Sequence, residues 1–128
     1  MRRFWLGFVF AFRGLRHAAV TQRNMRFHFF SLGVVLLAGW WVQLSRLEWA
    51  LVLSVSAGVF CAEMFNTAVE WLCDHVSPGH NEQVGRIKDV AAAAVLAAAL
   101  GALATGLLVF GPHIGRLGKM VYHALFAS

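Results

Sequence analysis

Glu63, Asn66, Glu70 and Asp74 fall at i, i+3, i+7 and i+11 of a run that is otherwise largely apolar. On an α-helix, at about 100° per residue, these four positions cover only roughly 80° of the circumference. Ionisable side chains in so apolar a segment are costly, and by default they face a bundle interior or a water-filled pocket. Carboxylates of this kind can hold Mg²⁺ through one or two oxygens. A carboxylate at a polar–apolar boundary also suits general-base work on a lipid hydroxyl. With cations at hand to neutralise phosphates, the set suits phosphoryl transfer. No G-x-x-x-x-G-K-[ST], no G-x-G-x-x-G after a strand and no protein-kinase set is present, so a nucleotide site has to be assembled from helix faces. His75 and His80 have no companions at zinc-site spacing.

The elements that must position these residues are legible from composition. The chain has 128 residues, 59% hydrophobic and 13% charged, with a mean hydropathy of +0.66. Soluble domains carry about 25% charged residues, and a small globule needs more polar surface than this. The composition therefore excludes a disordered chain, a disulfide scaffold and an ordinary soluble enzyme, and points to an all-α membrane protein of one domain. Three apolar segments are expected to cross the bilayer as helices, over 29–45, 49–72 and 88–111. Pro112 is expected to stop the third, leaving 112–128 as an interfacial tail. Residues 1–26 read as an amphipathic surface helix, with Phe4, Phe8 and Leu15 on one face and Arg13 and Arg16 off it.

Charge sets the expected orientation. Arg2, Arg3, Arg13, Arg16, Arg23 and Arg26 precede the first apolar segment, and Arg86 and Lys88 follow the second. Only Arg46, Arg116 and Lys119 belong to the opposite side. The positive-inside rule puts the N-terminus and the second loop in the cytoplasm, with Trp40, Trp41 and Trp49 as an outer aromatic belt. The cations flank apolar segments, so they speak for anionic lipid and not for nucleic acid. On this reading the acidic stripe, Lys88 and the arginine-rich helix meet at the cytoplasmic surface. The third segment is rich in small residues (Ala91–Ala94, Ala97–Ala99, Gly101, Gly106), a surface for close helix packing within or between subunits. Three helices make a thin bundle around several carboxylates, which implies a homo-oligomer. Cys61 and Cys73 lie roughly 18 Å apart along one helix and cannot pair within it.

Two segments carry a family resemblance. Ala62-Glu63-Met64-Phe65-Asn66-Thr67-Ala68-Val69-Glu70 with Asp74 resembles the E-x-x-N-[ST]-[AL]-[IV]-E-x-x-x-D core of the prokaryotic diacylglycerol kinase family, which includes undecaprenol kinases. Lys88-Asp89-Val90-Ala91-Ala92-Ala93-Ala94-Val95-Leu96 resembles that family's K-D-x-x-[AS]-[AG]-A-V-L block. Arg13-Gly14-Leu15-Arg16 and Asn24-Met25-Arg26-Phe27-His28 resemble its N-terminal segment. The resemblance runs to about Gly111. It implies a homotrimer of three-span subunits in a bacterial inner membrane, using ATP and Mg²⁺ to phosphorylate diacylglycerol or undecaprenol. By matching position, Glu63 is the general base and Glu70 a metal ligand. Lys88 and Asp89 contact the nucleotide, with Asn66, Asp74, His80 and Asn81 beside them. Arg3, Arg16, Asn24, Arg26 and His28 frame the lipid headgroup. Two departures stand out. Gln22 occupies the place of the family's second metal-binding glutamate, and Gly79-His80-Asn81 stands where E-Y-H is frequent. Other readings of the stripe are a small proton- or cation-coupled transporter and a non-catalytic lipid- or nucleotide-binding member.

Overall fold

A computed structural model describes the backbone of residues 2–126 and the side chains of 4–119, 122 and 126. The side chain of Arg3, expected at the headgroup, lies outside these. The described chain is all-helical: α1 (Arg2–Thr21), α2 (Arg23–Trp41), α3 (Arg46–Val76) and α4 (Glu82–Phe126).

The expected single helix over 1–26 is in fact two. Gln22 is extended (φ −97°, ψ 121°), and its side chain makes no capping bond. Just before it, the Thr21 hydroxyl donates to the His17 carbonyl at 2.8 Å, satisfying an acceptor at the end of α1. Phe4, Trp5, Phe8, Phe10 and Phe12 are all exposed along α1, so among the described residues no other helix covers this half. Its other half is anchored. Ala18 is buried, and the His17 ring meets Trp71 of α3 edge-on at 4.9 Å between centroids.

α2 ends in a tight turn that the sequence dictates residue by residue. Gln43 takes φ 57°, the left-handed region, which lets Leu44 N–H reach the Gly39 carbonyl at 3.0 Å and Gln43 N–H the Trp40 carbonyl at 3.3 Å. A Cβ on Gly39 would lie 2.8 Å from the Trp49 ring and 2.9 Å from Leu44, so only glycine fits there. Leu44 packs with Val52 and Val109 as a small core, backed by Val35, Val42, Trp49 and Phe110.

α3 begins in a capping box. Ser45 Oγ accepts from Glu48 N–H at 3.3 Å, while Glu48 Oε2 accepts from Ser45 N–H at 2.7 Å. Its 31 residues run about 46 Å.

α4 departs from expectation at both ends. It starts at Glu82, not near Lys88, because Asn81 Oδ1 accepts from Gln83 N–H at 2.9 Å and Val84 N–H at 3.3 Å. It also continues through Pro112 to Phe126, so the tail is no separate element. A proline removes one rung of the helical ladder, yet the partly buried stripe Ala98, Ala102, Thr105, Val109, His113 and Leu117 passes it without changing face. Packing on both sides of Pro112 holds the helix together. The small residues divide: Ala98, Ala99 and Gly106 are partly buried, whereas Ala92–Ala94 and Gly101 are exposed.

Two helices are long and apolar enough to cross a membrane, Arg46–Val76 and Glu82–Lys119. α2 carries Arg23, Asn24, Arg26 and His28 in its first two turns, which shortens its apolar part.

Candidate functional site at the C-terminal end of α3

The inward face of α3 reads Val52, Val59, Glu63, Asn66, Thr67 and Cys73, all buried, with Glu70 partly buried. The face changes from apolar to polar at Glu63. Glu63, Asn66 and Glu70 therefore point into the molecule, whereas Asp74, the last of the aligned set, is exposed.

Glu63 is 2% exposed, and its Oε2 has no hydrogen-bond partner among the described residues. One turn on, Asn66 donates from Nδ2 to Glu70 Oε1 at 3.0 Å, while its own Oδ1 is buried without a donor. This amide fixes Glu70 and leaves two acceptors, on Glu63 and Asn66, one helical turn apart. Buried acceptors are nearly always satisfied, so the stripe presents places for a donor or a cation from outside the chain. Thr67, not singled out from sequence, is buried beside them; its place inside the E-x-x-N-T motif was the available signal.

At the end of α3, Asp74 accepts a hydrogen bond and ion pair from Lys88 Nζ of α4. The bridge closes the Ser77–Asn81 connection and brings the K-D block against the stripe. Asp89 and His80 are exposed. Asn81 spends its side-chain oxygen on the α4 cap.

The other wall comes from α1 and α2. The His28 ring lies 6.3 Å from Phe60, which precedes Glu63 by one turn, and Phe29 lies 4.8 Å from the same ring. Met25 is fully buried between exposed Asn24 and Arg26. Arg16, Asn24 and Arg26 are exposed, and no hydrogen bond or ion pair ties them to the stripe. Gln22 is partly buried at the break between α1 and α2. Among the described residues no group of three or more His, Cys, Asp and Glu gathers as a metal site. From Phe60 a groove of about 500 Å³ leads away from the polar stripe between α2, α3 and α4, past Val35 and Val55 to Phe110. Its wall is apolar except at His28, Ser31 and Ser56.

Comparison with known proteins fits this arrangement. The undecaprenol kinase of Bacillus subtilis (strain 168) is 37% identical over 114 residues, covering 89% of this chain and 93% of that protein. A diacylglycerol kinase of Synechocystis sp. is 35% identical over 79% of this chain and 58% of its own length. The diacylglycerol kinase of Escherichia coli (strain K12) is 26% identical over 83% of this chain and 87% of its own. The family model "Prokaryotic diacylglycerol kinase" matches residues 9–110, which take in both motif blocks and the break at Gln22. The chain belongs to the prokaryotic diacylglycerol kinase family.

Proposed function

We propose that the protein is an integral membrane lipid kinase that moves the γ-phosphoryl group of ATP to the hydroxyl of undecaprenol or diacylglycerol at the cytoplasmic face. The observation that carries this reading is the buried Oε2 of Glu63, without a partner among the described residues and one helical turn beyond Phe60, which lines the end of the apolar groove. A lipid alcohol lying in the groove brings its hydroxyl, a donor, to that acceptor. Glu63 takes the hydroxyl proton as the oxygen bonds to the γ-phosphorus and ADP leaves with the bridging oxygen, a role typically worth 10²–10⁴-fold in rate.

Lys88 meets the nucleotide phosphates, with Asp89, Asp74, His80 and Asn81 around it, and Arg16, Asn24, Arg26 and His28 flank the headgroup. Glu70, oriented by Asn66, and the Gln22 amide are the oxygen donors that would hold Mg²⁺, a cation that takes oxygen ligands. Bound there, it would neutralise charge on the transferring phosphoryl group. Gln22 supplies an oxygen without a charge.

The chain crosses the membrane three times, first on α2, which ends at Trp41 and not at the expected 45, then over 49–72 and 88–111, with eight cations on the N-terminal side against three on the other. Three copies complete the bundle. A transporter needs a polar route through the membrane, whereas the inward face of α3 beyond Glu63 is Val59, Val55 and Val52, with Ser56 its one polar side chain and no ionisable group.

The test is direct. Purified protein with radiolabelled Mg-ATP should phosphorylate at least one of the two lipid alcohols, and Glu63→Gln should lose that activity while keeping its oligomeric size. Transfer to neither lipid across a range of Mg²⁺ and Mn²⁺ concentrations would remove the kinase reading.

A further inference from the structure

A second polar cluster lies at the other end of α3, about 22 Å from Glu63 along the helix. Arg116 Nη2 stands 3.1 Å from His113 Nδ1, and His113 Nε2 stands 2.9 Å from Glu48 Oε1. The other Glu48 oxygen accepts from Ser45 N–H. The chain of bonds joins the first turn of α3 to the segment of α4 just past Pro112, residues 65 apart in sequence.

Donor and acceptor chemistry fixes the protons. A guanidinium can only donate, so His113 Nδ1 accepts and carries no hydrogen. Nε2 then holds the hydrogen and donates to Glu48. This hydrogen-bond arrangement is that of the Nε2–H tautomer of His113. The His113 side chain is 12% exposed and that of Glu48 29% exposed. The charged groups facing it are Glu48 from α3 and Arg116 from α4, with Arg46 exposed two residues before Glu48. The turn after α2 contributes Trp41, Val42 and Gln43, none of them titratable, to a cleft of about 380 Å³ shared with His113, Arg116 and Leu117. Hydrogen bonds from His113 and then Ser45 hold the Glu48 carboxyl at about 2, below its ordinary 4.5.

We propose that Glu48, His113 and Arg116 form a proton-operated clasp that holds α4 beyond Pro112 against the start of α3. A proton added at Nδ1 sets a second donor and a second positive charge against Arg116, while turning the Glu48 contact into an ion pair. Arg116 therefore lets go and Glu48 does not. The release falls where the proline has already removed a rung of the ladder, so the last turns of α4 gain freedom on acidification.

¹⁵N NMR of histidine-labelled, full-length protein in bilayers tests this. At about pH 8, above the usual imidazole range, His113 should show an unprotonated Nδ1 and a protonated Nε2. On acidification Nδ1 should take up the proton, and amide exchange over 113–119, corrected for intrinsic rate, should rise. Arg116→Gln should move the midpoint up, and Glu48→Gln should move it down, each by at least about half a unit. A hydrogen on Nδ1 at the alkaline end overturns the proposal, as does a midpoint that Arg116→Gln leaves in place or lowers. The tautomer reading needs no variant, so it stands even where a substitution fails to fold.

Discussion

A carboxylate with 2% exposure and an oxygen lacking a donor is a poor choice for stability. An acceptor left bare in buried surroundings costs about 1–3 kcal/mol. Glu63→Leu should therefore melt a few degrees higher than wild type in detergent, at about 1 kcal/mol for several degrees, while making no lipid phosphate. A lower melting temperature would mean that Glu63 supports the fold. Gln22→Glu should lower the Mg²⁺ concentration that gives half-maximal activity, and an unchanged dependence would place Gln22 away from the metal. The inward direction of Glu63, Asn66 and Glu70 was legible because helical periodicity alone puts them on one face. The Asn66–Glu70 bond, the Asp74–Lys88 bridge and the cap role of Asn81 were not, since each depends on rotamers or on contact between helices.

Among the elements, the turn from α2 to α3 is the most exacting. Gly39→Ala would push a methyl to 2.8 Å from the Trp49 ring, which is locked into the small core. Overpacking of this kind typically costs about 1–3 kcal/mol, so thermal unfolding should show a lower midpoint for this variant, whereas Gly101→Ala, with open space around it, should not. The Ser45-x-x-Glu48 box is a sequence signature of a helix start and could have given the first residue of α3. The break at Gln22 had no such marker, with neither glycine nor proline nearby to announce it. Pro112 misled in the other direction. A local rule reads it as a stop, but the helix is held beyond it by His113 meeting Glu48, a contact that no window around the proline contains.

At the scale of the whole molecule, the proposed three spans and inside N-terminus make a prediction about sidedness. In a variant with Cys61 and Cys73 both changed to serine, an impermeant thiol reagent added to intact spheroplasts should label Arg46→Cys and spare Gly79→Cys. Labelling of both or of the reverse pair would overturn the topology. α4 is 45 residues long, about 67 Å, against a hydrocarbon thickness of about 30 Å. It overhangs the bilayer, and from Lys88 to Val109 it is a lever about 32 Å long. A rod longer than its host layer answers a thinner or thicker bilayer by changing its slant. A slant of about 5° moves one end past the other by about 3 Å, the length of a hydrogen bond. α4 is tied to α3 at both ends, by Lys88 on Asp74 and by Val109 on Val52, so α3 would have to take the same slant.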